Sequence, residues 1–109
     1  MKRLAFILCV FCFLSKLVAQ EQKAPSPILF IDDASGSMWG QLDGKTKKDI
    51  ASEVLATTVS SLPENQNIGL MAYGHREKGD CNDIELLINL NNSSKTSITN
   101  SVSKINALG

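Results

Sequence analysis

The sequence predicts an α/β fold in which helices pack on a mostly parallel sheet. A short continuous apolar run, Ile28 to Ile31, is bounded by turn residues and suits a strand that is buried on both faces. A loop rich in Gly, Ser and Asp follows it, and then an amphipathic helix. Two strand-like segments and a second helical stripe complete the chain, so the expected order is β-α-β-β-α.

The first helix is expected to begin after the loop at residues 33–45. Thr46 can cap its N-terminus, and Asp49 lies three residues later as a shortened version of the capping-box acid. Pro63 ends the helix. The expected apolar stripe recurs every four residues and is widened on one side, and its members are Ile50, Val54, Thr58 and Leu62, with Leu55 and Val59 beside them.

Residues 67–73 and 83–90 predict two strands that can pair as a hairpin across the charged loop 74–82. In the first strand, Ile68, Leu70 and Ala72 share one face. In the second strand, Leu87 is expected on one face, and the opposite face is expected to hold Ile84, Leu86, Ile88 and Leu90. After a cap-rich break, a second helix is expected to end near Gly109, with an apolar stripe of Ile98, Val102 and Ile105.

Residues 1–19 are expected to be a secretory signal peptide, cleaved after Ala19. Lys2 and Arg3 precede an apolar run from Leu4 to Leu14, and Lys16 follows it. A membrane anchor is the alternative, but a span needs about 20 apolar residues and this run is shorter. Residues 20–27 are interpreted as a linker and residues 28–109 as the folding part. The mature chain is therefore expected to be secreted or periplasmic, with no membrane span.

The charge balance argues against a nucleic-acid-binding domain. The whole chain has eleven basic and eleven acidic residues, and without residues 1–19 the net charge is −3. Cys81 is the only cysteine that remains after residue 19. It is expected to be a free thiol or to pair with a cysteine outside this chain.

Asp33, Ser35 and Ser37 form a D-x-S-x-S motif directly after the first strand. One carboxylate and two hydroxyls are hard oxygen donors, which suit Mg²⁺, or Mn²⁺ or Ca²⁺ in looser geometry. The loop lies at the carboxyl end of a strand, where open α/β sheets bind their ligands. The alternative is a turn in which Asp33 only caps nearby backbone amides.

The stretch from Ile28 to Gln41, ILFIDDASGSMWGQ, resembles the first strand and metal loop of von Willebrand factor type A domains in their bacterial secreted branch. The stretch from Ile68 to Leu87, IGLMAYGHREKGDCNDIELL, and the helix before it fit the same branch. The resemblance covers essentially all of residues 28–109. It implies a Rossmann-like sheet wrapped by helices, of which this chain holds the N-terminal half.

The resemblance also implies a metal-ion-dependent adhesion site, in which the motif residues Asp33, Ser35 and Ser37 are ligands. Such a site binds a divalent cation that holds an acidic side chain of a protein partner. In the family, a Thr from a later loop and an Asp from a later strand complete the site. Neither is identified in this chain, since Thr96 and Thr99 fall on the predicted second helix. Cation binding is therefore expected to be weak in this chain.

Several residues near the motif have competing interpretations. Asp32 stands where the family usually has an apolar residue. Sequence drift in this copy or a tolerated strand-end position is preferred to a contact with the metal loop. Trp39, after Met38, is expected to pack under the loop rather than form an exposed rim. His75 is expected in a solvated loop rather than in a zinc site. The acids of this region are expected to solvate the hairpin rather than bind Ca²⁺, namely Glu77, Asp80, Asp83 and Glu85.

An enzyme is not expected, although two serine motifs keep a secreted hydrolase as an alternative. Ser37 lies one place early for a nucleophile elbow, and Ser101 with Lys104 matches the short pattern S-x-x-K on a helix surface. The other alternative is a non-functional remnant, because an incomplete sheet would leave an apolar face uncovered. The leading expectation is a cation-dependent protein-binding module.

Overall fold

The computed structural model describes residues 23–92 and 94–108 of the chain. The predicted signal peptide lies outside them, as do residues 20–22 of the predicted linker. The elements in chain order are β1 Ile28–Asp33, a 3-10 helix Gly36–Trp39, β2 Gln41–Leu42, β3 Lys45–Thr46, α1 Lys47–Ser61, β4 Ile68–Tyr73, β5 Ile84–Asn92 and α2 Lys95–Lys104. No helix among the described residues is long and apolar enough to cross a membrane.

The main sheet has three strands in the order β1-β4-β5. Strands β1 and β4 are parallel, with Ile28 opposite Ile68 and Asp33 opposite Tyr73. Strands β4 and β5 are antiparallel, so the predicted hairpin is confirmed. The chain is thus a small mixed α/β protein, but the expectation of a mostly parallel sheet is wrong for the described strands. The short connection between β4 and β5 allows only antiparallel pairing, because a parallel pair needs a longer crossover.

The core lies between one face of this sheet and the two helices. Helix α1 contributes Val59, and α2 contributes the predicted pair Ile98 and Val102, followed by Ile105 just after the helix. The predicted inward face of β4 is confirmed, since Ile68, Leu70 and Ala72 are at most 1% exposed. The partly buried hydrophobic residues packed against this cluster are Ile28, Phe30, Leu55, Leu62, Leu87 and Ile88.

Helix α1 is rotated relative to its predicted stripe. Val54 is 59% exposed and Thr58 is also exposed. The helix packs instead through Leu55, Val59 and Leu62, which were expected only to widen or end the stripe. The predicted stripe and the observed stripe both consist mainly of apolar residues, so the periodicity of the sequence alone does not predict which one is buried. The sheet selects one row because it covers only one side of the helix.

The expected face pattern of β5 is wrong because the strand contains irregularities. The register shifts between the pairs Leu70–Ile88 and Met71–Leu86, which leaves Leu87 as an extra residue on the β5 side. An extra residue interrupts the alternation, so side chains before it and after it no longer share the face that strict alternation predicts. Ile84 and Leu86 therefore lie on the open face, at 56% and 52% exposed, while Leu87 and Ile88 pack against the core.

Both predicted helix starts are confirmed by their capping hydrogen bonds. Thr46 Oγ1 accepts a hydrogen bond of 3.0 Å from the backbone N–H of Asp49, and Ser94 Oγ accepts one of 3.3 Å from Ser97. Helix α2 ends at Lys104, earlier than expected, and residues 105–108 continue without helical structure. The region predicted as one loop contains a 3-10 helix and the two-residue strands β2 and β3. Asp43 and Gly44 connect these strands with φ of 52° and 82°, as a tight hairpin turn requires.

Candidate cation site

The structure brings the three predicted ligands together at the carboxyl end of β1. Asp33 is the last residue of the strand, Ser35 caps the 3-10 helix and Ser37 lies in its first turn. The helix turns the chain back on itself immediately after the strand, which is why residues two apart point to a common place. Asp33 and Ser35 are half-buried, and Ser37 is exposed.

Hydrogen bonds link the three residues of the motif. The backbone N–H of Ser35 donates to Asp33 Oδ1 at 2.9 Å. The hydroxyl oxygens of Ser35 and Ser37 are 3.0 Å apart. Tyr73, which is opposite Asp33 in the parallel register, places its hydroxyl near the same carboxylate. Tyr73 was not expected at this site from the sequence, because its role depends on the register between β1 and β4.

These contacts keep Asp33 ionised. Partial burial by itself raises the pKa of Asp33, but the hydrogen bonds from Ser35 and Tyr73 outweigh it, and the pKa lies below its ordinary value. Burial raises the pKa of Tyr73, and the neighbouring Asp33 carboxylate raises it further, so the phenol stays protonated. A carboxylate that is charged at neutral pH is the form that a cation requires.

The donor set fits a small divalent cation. In octahedral Mg²⁺, ligands lie about 2.0–2.1 Å from the metal, so adjacent oxygens are roughly 2.8–3.0 Å apart. The two serine hydroxyls already have this separation, at 3.0 Å. Among the described residues no three His, Cys, Asp or Glu side chains form a metal-binding group. The candidate cation site differs in kind from such a group, because two of its three ligands are hydroxyls.

The chain segment after α2 lies against this loop. The backbone N–H of Leu108 donates to the carbonyl oxygens of Ala34 and Gly74, each at 3.0 Å. The indole N–H of Trp39 donates to the carbonyl of Ala107 at 2.7 Å. Trp39 was expected to pack under the loop, but its side chain is held in place by this bond and the residue is 49% exposed. The bond spans 68 positions in the sequence, and no local pattern indicates it.

Asp32 lies on the opposite face from Asp33. It is opposite Ala72, which belongs to the core face, and successive strand residues alternate between faces. Burial raises the pKa of Asp32, while the nearby charges of Lys48 and His75 oppose that shift. Thus Asp32 does not take part in the cation loop, and the preference for a tolerated position near the strand end is consistent with its place.

The loop between β4 and β5 was expected to be solvated, but its last residue, Asp83, is buried. Its carboxylate accepts hydrogen bonds from the backbone N–H groups of Arg76 and Glu77, at 2.6 and 2.9 Å, and from Arg76 Nε at 2.7 Å. The hydrogen bond from the Arg76 guanidinium outweighs burial and lowers the pKa of Asp83 to about 2. The Asp83 carboxylate thus joins the end of the loop to residues near its start. No spacing pattern in the sequence indicated these hydrogen bonds.

His75 is not solvated either. Its side chain is only 11% exposed, and Nε2 lies 2.9 Å from Glu85 Oε2. Its Nδ1 is buried with no hydrogen-bond partner. His75 lines one surface pocket with Ser101 and Lys104 of the S-x-x-K pattern, while Ser37 contacts Ser35. Thr96 and Thr99 lie on α2, as predicted. Cys81 is exposed and forms no disulfide within the described part of the chain.

Comparison with known proteins finds a similarity to a bacterial protein. The chain is 34% identical over 74 residues to the uncharacterized protein YwmC of Bacillus subtilis strain 168. The matched region covers 68% of this chain and 33% of that protein, so the chain spans about a third of the length of its relative. No family model matches the sequence, and no solved structure matches it.

Proposed function

We propose that this chain is the N-terminal part of a von Willebrand factor type A domain of an exported protein. In this proposal, Asp33, Ser35 and Ser37 bind a divalent cation, which holds an acidic side chain of a protein partner. The motif resemblance and the place of the loop at the carboxyl end of β1 support the assignment. Export rests on the predicted signal peptide.

One observation carries the proposal, namely the continuous contact from Asp33 through Ser35 to Ser37. A turn that only capped its own backbone would need Asp33 and the N–H of Ser35, but it would not need two hydroxyls at ligand spacing. The exposed Ser37 leaves the outer side of the cluster open to a partner. In this proposal, the three side chains supply half of an octahedral coordination shell.

The charge of the ligand set explains why an acidic partner is expected. A bound Mg²⁺ or Mn²⁺ would supply a Lewis-acidic centre that accepts further oxygen ligands. Asp33 contributes one negative charge and the two serines contribute none, so the site keeps positive charge. A carboxylate from a partner neutralises it. In the family, a Thr and an Asp from later elements complete the shell, and neither is assigned to a residue of this chain. Residues 105–108 approach the cation loop through the bonds of Ala107 and Leu108.

The proposal is tested by titrating the chain with Mn²⁺ and following the bound metal by electron paramagnetic resonance. We expect weak binding by the natural chain and a loss of about tenfold or more in two variants. Asp33→Asn removes the negative charge of the site, and Ser35→Ala removes a hydroxyl ligand. Asp43→Asn and Ser61→Ala are the matched controls. Asp43 is an exposed acid of the β2–β3 turn, and the Ser61 hydroxyl donates to the Thr58 carbonyl in α1.

Both controls should bind Mn²⁺ like the natural chain, and circular dichroism should show that every variant is folded. Equal Mn²⁺ affinity in Asp33→Asn and the natural chain would show that the motif residues are not ligands. That result would also reject the adhesion-site proposal.

A further inference from the structure

We propose that the cleft between the cation loop and the 74–83 loop receives an aliphatic side chain of the same partner whose carboxylate binds the cation. This inference rests on the proposed function and adds the chemistry of the partner. It predicts a partner segment in which an acidic residue and a residue such as leucine are neighbours. The two groups would bind on either side of Ser35.

The cleft directly adjoins the cation loop. Its volume is about 230 Å³, and its lining includes Ser35, Tyr73, Gly74, Cys81, Asp83 and Ile84. Ser35 is thus shared between the candidate cation site and the cleft. Sites for small-molecule ligands measure roughly 300–1,000 Å³. A smaller cleft suits one side chain of a larger partner.

The walls of the cleft are held by hydrogen bonds within the 74–83 loop. The backbone N–H of Gly74 donates to the Asp83 carbonyl at 2.9 Å, and the N–H of Asp83 donates to the Asp80 carbonyl at 3.2 Å. The buried Asp83 carboxylate adds three more bonds inside the loop. A wall that is ordered before binding lowers the entropy cost of association.

The chemistry of the lining favours an apolar occupant. Ile84 is 56% exposed and Tyr73 is 39% exposed, so both present apolar surface to a partner. The carboxylate of Asp83 is already satisfied by Arg76 and Glu77, and one oxygen of Asp80 accepts from the N–H of Asn82 at 2.8 Å. Asp80 and Asp83, the two acids that line the cleft, would repel a carboxylate of the partner there. A partner therefore places its acid on the metal and an uncharged group beside Ile84.

The test compares two peptides, acetyl-Gly-Asp-Leu-Gly-amide and acetyl-Gly-Asp-Ser-Gly-amide. A second pair carries the same residues with Asp after the Leu or Ser instead of before it. Binding to the chain is followed by NMR shift changes with Mg²⁺, and Mn²⁺ affinity is measured separately. Burying a leucine side chain is worth roughly 1.5–3 kcal/mol, which converts to a preference of about tenfold or more. We expect this preference for leucine in at least one order.

The variant Ile84→Asn should remove the leucine preference and leave Mn²⁺ affinity and serine-peptide binding unchanged. Leu90→Asn is the matched control, because Leu90 is 41% exposed on the same strand and does not line the cleft. Equal affinities for the leucine and serine peptides, or no binding of either at millimolar concentration, would overturn the cleft proposal.

Failure of the proposed function gives a different result. If Mn²⁺ itself does not bind, the cation site is wrong, and the leucine preference measured in EDTA then decides the cleft separately. A preference that persists in EDTA and is lost in Ile84→Asn supports the cleft. Its absence in EDTA, when Mn²⁺ also fails to bind, overturns both proposals.

Discussion

Ser35 connects most of the features that bear on function in this chain. Its backbone N–H bonds Asp33, its hydroxyl lies 3.0 Å from that of Ser37, and it lines the cleft. Tyr73 reinforces the same carboxylate from the neighbouring strand. Single residues in this protein act through their contacts with main-chain groups as much as with side chains. Asp83 is the clearest case, since two of its three donors are backbone N–H groups.

Asp83→Asn should destabilise the chain at neutral pH and make its stability less sensitive to acid. The pKa of Asp83 is about 2 in the folded chain, below the ordinary value of 3.8. Its stabilising contribution is therefore complete above about pH 4–5 and is lost as pH falls towards 2. Thermal unfolding between pH 2 and pH 7 should show a melting temperature several degrees lower in the variant at pH 7.

The difference in melting temperature should narrow as the pH approaches 2, because the natural carboxylate becomes protonated there. The control Asp43→Asn makes the same charge change on an exposed turn and should keep the natural melting temperature at pH 7. A constant difference across the whole pH range would mean that Asp83 acts by packing rather than by its charge.

Two loops converge at the carboxyl ends of the parallel strands β1 and β4, and their approach is very close. Gly74 has φ of 76°, and a Cβ on it would lie 3.1 Å from the Ser35 nitrogen and 3.2 Å from the Ala34 carbonyl carbon and oxygen. Gly79 has the same φ of 76°, but nothing lies within 4 Å of a Cβ built there. The first glycine is required by both conformation and space, and the second only by conformation.

Gly74→Ala should therefore cost more stability than Gly79→Ala. The left-handed conformation costs an alanine roughly 1–2 kcal/mol at either position. At Gly74 the backbone of the cation loop must also move away, which should weaken Mn²⁺ binding several-fold. Chemical denaturation and the Mn²⁺ titration measure the two effects. Equal losses in the two variants would show that the loops can separate without disturbing the cation loop.

On the scale of the whole molecule, the sheet has one covered face and one open face. Both helices pack on the face of Leu70, and no described element covers the other face. Ile31 is 62% exposed there and Leu86 is 52% exposed. The outer edge of β1 also has no strand partner among the described residues. An apolar sheet face with a free edge is a surface that associates in water.

The isolated chain should therefore self-associate as its concentration rises. Sedimentation velocity of the chain is expected to show a growing fraction of dimers or larger species, and Ile31→Lys should reduce that fraction. Val54→Lys is the matched control, because Val54 is also exposed, at 59%, but lies on α1. A monomer at all concentrations, or equal effects of the two substitutions, would contradict this assignment of the open face.

The sequence by itself determined the features that depend on neighbouring residues. The motif at the end of β1, the capping of α1 by Thr46 and the hairpin of β4 and β5 follow from contacts within a few positions. The motif spacing and the family resemblance also predicted that Asp33, Ser35 and Ser37 belong to one site. Propensity and hydrogen bonding act over such short windows, so these elements can be predicted from local patterns.

Only the tertiary structure decided which faces are buried and what surrounds the motif. The irregular register of β5 leaves Leu86 exposed, whereas Leu87 packs against the core. On α1, Leu55 packs against the core and Val54 is exposed. Tyr73 lies opposite Asp33 in the parallel register, and the Trp39 indole N–H donates to the carbonyl of Ala107, 68 positions away in the sequence. These contacts depend on the registers and the packing of separate elements, because a one-residue shift moves a side chain to the other face of a strand.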